Sequence, residues 1–96
     1  MNLTAFRPEL ERVNEGYALI ILDSANTAES HAVAAFIGGP NEDSCFFDPN
    51  YGEFWFPNRE DFFFFLHLFF NFCYRQSHQH NTGFNRCQVV RMRGPA

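Results

Sequence analysis

The sequence contains no lysine. Its seven basic residues are all arginine and face eleven acidic residues, for a net charge of −4. No basic run is interleaved with aromatics, which argues against nucleic acid as a partner. Arg86, Arg91 and Arg93 form a small basic patch near the end of the chain, of the size expected for a solvated strand face. Cysteine is scarce as well: Cys45, Cys73 and Cys87 are odd in number and widely spaced. That is not the disulfide framework of a small secreted domain, and a reducing compartment is expected. The opening "MNLTAFRPELERVNEG" carries charges and no apolar stretch, so no secretory leader is expected there. The most apolar run, Phe62 to Tyr74, falls short of the roughly 20 residues that cross a bilayer, and no membrane span is predicted. No internal repeat is visible.

Phenylalanine, by contrast, is abundant: fourteen of 96 residues. A chain of this length forms one domain at most, with a small core. So many rings predict either a core packed with aromatics or an apolar face turned toward something outside these residues.

Local patterns predict a short helix, three strands, a helix and a last strand. Pro8 to Asn14 reads as the short helix, with Pro8 in its first turn and Gly16 just past its end. "YALIIL", Tyr17 to Leu22, is a continuous apolar run suited to a strand buried on both faces. Asp23 to Ser30 has loop chemistry. His31 to Ile37 reads as a second strand, and Cys45 to Phe56 as a third that is broken by a Pro49-Asn50 turn. Asn58 can cap a helix with Asp61 three positions on, in a capping-box-like arrangement. Between Phe62 and Tyr74 only His67 and Asn71 are polar, which predicts a narrow water-facing stripe. Gln76 to Gly83 reads as a loop and Cys87 to Arg93 as the final strand. The fold class is α+β: a small antiparallel sheet packed against one long aromatic-rich helix.

A hairpin folded around Gly39-Pro40 pairs residues whose numbers sum to about 79–81, which sets His31 opposite Asp48 or Asn50. Directly opposed residues share a face, with Cβ atoms about 4.5–5.5 Å apart. A carboxylate that accepts a bond from one imidazole nitrogen fixes the tautomer and leaves the other nitrogen to take or give a proton. Such a pair activates a thiol or hydroxyl near neutral pH. In the plain alternative, His31 simply begins a strand and Asp48 starts an Asp-Pro-Asn-Tyr-Gly turn.

"HAVAAFIGG" followed by "CFFDPNYGEFWF" resembles the His and Asp motifs of the YopT-type cysteine proteases, a papain-like family of bacterial virulence factors. The likeness runs from about Tyr17 to Tyr74 and is specific at His31, Ala32, Asp48, Pro49, Asn50, Gly52 and Glu53. It implies that His31 is the general base and Asp48 its orienting partner, on the sheet of a papain-like half-domain. It also implies a secreted bacterial effector or toxin acting on host proteins in the host cytosol, with no cofactor. A Rho-inactivation type of toxin domain shares the Cys-His-Asp arrangement but transfers fatty acyl groups to lysine, and these motifs do not separate the two activities.

In the family the nucleophilic cysteine lies on a helix well before the histidine. Thirty residues precede His31, and none is cysteine. The chain is therefore expected to be the C-terminal part of such a domain, lacking the Cys-bearing lobe and inactive alone. Its partners would be that lobe, or another protein, on the aromatic face. A non-catalytic binding module that kept the sheet and lost the chemistry is the alternative. Cys45 falls three residues before Asp48, on the opposite strand face. Cys73 lies in the apolar helix and Cys87 on the last strand, all three as small core residues. Ser24, Ser30 and Ser44 lack a nucleophile elbow. His78 and His80 with Cys73 and Cys87 match no usual zinc spacing, and no metal is predicted.

Overall fold

The computed structural model describes residues 5–24, 29–74 and 83–92. Helix α1 (Phe6–Glu11) leads into β1 (Gly16–Asp23), β2 (Ser30–Ile37), β3 (Ser44–Asp48) and β4 (Gly52–Phe56). Helix α2 (Arg59–Phe69) then runs into a π-helical turn (Phe70–Tyr74), and β5 (Arg86–Met92) closes the described chain. The five strands form one sheet in the order β4-β3-β2-β1-β5. Every neighbouring pair is antiparallel, so the α+β expectation holds.

The first helix sits earlier than expected. Phe6 and Leu10, four apart, bury one face of it, while Asn14 at φ 67° lies in the left-handed region and cannot continue the helix. The segment read as a broken third strand is two strands. Pro49, Asn50 and Tyr51 reverse the chain completely, and Asp48 pairs with Gly52 across the turn. Gly52 takes φ 98°, a value that suits glycine after a three-residue hairpin loop. The tight link from β2 to β3 needs a glycine for another reason. A Cβ on Gly38 would lie 2.3 Å from the Asp43 carbonyl oxygen.

Helix α2 begins as its sequence predicts. The Asn58 side chain accepts the Asp61 N–H at 2.9 Å, a cap that stabilises a helix by about 1 kcal/mol. Its inner face presents Phe62, Phe63 and Leu66, continued by Phe70 and Tyr74 in the π turn. Residues 62, 66, 70 and 74 are spaced by four, and each step of four overshoots a full α-helical turn by about 40°. The wider π turn falls short of a full turn over the same step, so Tyr74 is steered back toward the sheet.

The core lies between this face and the sheet. Phe46, fully buried, is its centre, with ring centroids of Phe54, Phe65, Phe69 and Phe70 at 5.3–6.4 Å. On β1 only one face is fully buried: Ala18, Ile20 and Leu22 are covered, Leu19 and Ile21 only in part, and Tyr17 is exposed. The prediction of a strand hidden on both sides is corrected here, because the helices cover one side of the sheet. Nor is the outer stripe of the long helix purely polar. Phe64, Leu68 and Phe72 join His67 and Asn71 there.

Candidate active site

The β2–β3 ladder pairs Ala34 with Phe47, Ala35 with Phe46 and Phe36 with Cys45, a register whose numbers sum to 81. Continued past the last paired residues, it sets Asp48 beside Val33 rather than beside His31. Positions 31 and 33 share a face, so His31 reaches Asp48 along the diagonal. It does make contact: Nε2 of His31 lies 2.9 Å from Oδ2 of Asp48. The pairing read from the sequence is thus present, in diagonal rather than direct opposition.

Asp48 is held from three sides. Its Oδ1 accepts the Asn50 backbone N–H at 2.7 Å, and its own carbonyl accepts the Tyr51 N–H at 3.0 Å. These are the bonds of an Asx-type turn, so the aspartate that closes the hairpin is also the one that faces the histidine. Oδ2 accepts from His31 and from the Tyr74 hydroxyl. The Asp48 side chain is 0 % exposed and that of His31 15 %. Burial alone pushes the Asp48 carboxyl up. The bonds from Tyr74, His31 and Asn50, with the nearby imidazole, outweigh it and leave the carboxyl below its ordinary value. Asp48 is therefore a carboxylate at neutral pH despite its burial.

The imidazole is packed as well as bonded. Phe84 stacks on His31 at 6.2 Å and 12°, and Tyr74 lies against it at 5.9 Å. The Phe84 N–H donates to the Tyr74 carbonyl at 2.8 Å, tying the two rings that flank His31 to each other. Sequence reasoning missed both residues. Tyr74 closes the run of phenylalanines at core spacing, but nothing local to it points to an acceptor 26 positions earlier.

Two of the chain's own cysteines, Cys45 and Cys87, are not placed as partners of His31. Cys45 is buried on β3 at an odd position, on the face opposite to Phe46 and Asp48. Cys87 shares a face with His31, but Leu22 pairs with both and stands between them. Two strand spacings separate them, about 10 Å. Burial pushes the thiols of Cys45, Cys73 and Cys87 up, the reverse of what an activated thiolate requires. Arg86 of the basic patch donates to Asp23 at 2.8 Å, while Arg93, His78 and His80 lie outside the described residues. Among the described residues no group of three or more potential ligands gathers to hold a metal, and no helix is long and apolar enough to cross a membrane.

A buried carboxylate bonded to Nε2 of an imidazole fixes the ring's tautomer and its orientation. This is the base-and-orienter geometry of enzymes that attack acyl carbons with a thiol or hydroxyl. Residues 10–92 match the model of a peptidase family described as Yersinia/Haemophilus virulence surface antigen. The chain belongs to this YopT-type family of bacterial virulence-associated cysteine proteases. Comparisons with curated proteins and with solved structures returned no match.

Proposed function

We propose that the chain is the His/Asp-bearing part of a cysteine peptidase that acts on host proteins, as a secreted effector in the host cytosol. His31 is the general base and Asp48 orients it, while the nucleophilic thiol comes from sequence outside these 96 residues. The observation that carries this reading is the bond between His31 and a fully buried Asp48, in a family of cysteine proteases. The His31 ring takes the thiol proton, and the thiolate adds to the scissile carbonyl. The same ring then gives the proton to the leaving amine, and water releases the acyl group by the same exchange in reverse order.

The test is a longer protein that includes the upstream coding sequence. One cysteine in it should alkylate rapidly at neutral pH, and His31→Ala should abolish that rapid phase and lower peptidase turnover by about 10²–10⁴-fold. If no cysteine of the longer protein alkylates in a His31-dependent way, the catalytic assignment fails.

A second reading, a protein-binding module, is favoured by the uncovered side of the sheet. The pairing sets Met92, Tyr17, Phe36, Cys45 and Trp55 in one row across all five strands. Beside it run Val90, Leu19, Ala34, Phe47 and Glu53. Nine of these ten positions are apolar, and Tyr17 and Trp55 are 59 % and 58 % exposed. Surfaces of this kind mark contact sites. On this reading the chain alone binds a protein partner or itself through that face, and Trp55→Glu weakens the association. Light scattering and titration against candidate partners check it; a monomer that binds nothing removes it.

A further inference from the structure

Tyr74 differs from every ring around it. The buried or half-buried aromatics of the long helix before it are Phe62, Phe63, Phe65, Phe69 and Phe70, and only at position 74 does the ring carry a hydroxyl. That ring is 2 % exposed, so its hydroxyl has left water and needs a protein acceptor. The acceptor is Oδ2 of Asp48, the same oxygen that faces His31. The π turn is what aims the ring, and π-helical turns inside α-helices occur often at functional sites.

We propose that Tyr74 is a positioning residue of the His31–Asp48 pair, sharing Oδ2 with the imidazole so that the carboxylate stays ionised, fixed in orientation and only partly available to the histidine. This deepens the catalytic reading and rests on it for its purpose, though not for its geometry. Three donors divide the carboxylate: the Asn50 N–H on Oδ1, and His31 and Tyr74 on Oδ2. An acceptor with more donors gives less to each. With Tyr74 in place, the His31 ring is held without the full pull of an isolated buried anion, and its proton exchange with a thiol is eased. Among the described residues, the titratable groups facing Asp48 are His31 from β2, Tyr51 from the hairpin turn, and Cys73 and Tyr74 from the π turn. Burial, then the bond to Asp48 and its charge, push the Tyr74 phenol far above its ordinary range. It therefore stays a donor throughout the range in which His31 works.

The experiment is nuclear magnetic resonance on the 96-residue chain. Two signals are read: the ¹³C titration of the Asp48 carboxyl, and the resonance of the His31 ring proton that bonds to it. In Tyr74→Phe the Asp48 midpoint rises and the His31 ring proton moves downfield, as its bond to Oδ2 strengthens. Site-specific 3-fluorotyrosine at position 74, a stronger donor of nearly the same shape, moves both signals the opposite way. Unchanged signals in folded Tyr74→Phe overturn the proposal. Should that variant not fold, the fluorinated protein decides alone: opposite shifts support the role, and no shift overturns it. A purely structural role does not reverse sign between the two substitutions. In the longer protein, Tyr74→Phe displaces the pH profile of thiol alkylation, whereas His31→Ala removes the rapid phase. A reactive cysteine indifferent to Tyr74 sinks this inference and spares the catalytic reading; shifts at Asp48 and His31 with no His31-dependent cysteine do the converse.

Discussion

Asp48→Ala should lower the stability of the chain by about 3 kcal/mol at neutral pH, read from the urea midpoint. The residue is fully buried, and its loss takes the acceptor from His31, from the Asn50 N–H and from the Tyr74 hydroxyl together. The tyrosine hydroxyl is the most expensive of the three to abandon, since water does not reach it. Against a typical total of about 5–15 kcal/mol, such a loss brings a chain of this size close to unfolding. The effect has a pH signature. Because the folded carboxyl is held below its ordinary value of 3.8, the wild-type protein keeps this contribution at higher pH. It loses the contribution as the pH falls below about 4 and through the depressed folded value. Asp48→Asn should remove that part of the acid dependence. Equal acid sensitivity in Asp48→Asn and wild type would show that the carboxylate is not held as described.

Phe46→Ala should cost about 3–5 kcal/mol, by loss of apolar burial and by the cavity left behind. Among the described residues none is better enclosed. Phe46 is 0 % exposed and touches rings from β4, α2 and the π turn at once. Those rings are themselves packed against one another, Phe54 on Phe65 at 5.0 Å and Phe65 on Phe69 at 5.2 Å. Collapse into the vacated space would therefore have to displace several side chains. Phe47→Ala, one residue along on the uncovered face, should cost much less. Thermal or urea unfolding of the two variants gives the comparison, and equal losses would contradict a core confined to one side of the sheet.

The two substitutions also mark how far the sequence could be read. Alternation along β2 and β3 told which residues share a face, and the Asp-Pro-Asn-Tyr-Gly run told that the chain turns. Asn58 and Asp61 announced the start of the long helix, and the structure shows that cap bond. His31 and Asp48 were legible as a pair because each sits at a marked place, one at a strand start and one at a turn. Tyr17 to Leu22 misled, since a run of β-forming apolar residues looks the same whether one face or both are covered. Tyr74 and Phe84 gave no sign at all, because their partners lie far away in the chain.

Sequence alone determined the α+β class, the helix cap and the hairpin turn, which depend on local periodicity and turn chemistry, and it marked the histidine and the aspartate through the motifs in which they stand. Tertiary structure decided the register that brings those two together on a diagonal, the π turn that delivers a hydroxyl to the same oxygen, and the side of the sheet left bare. These depend on how elements pack across long stretches of chain, where a half turn of helix or one step of strand pairing redirects every side chain, and no short window of residues records that choice.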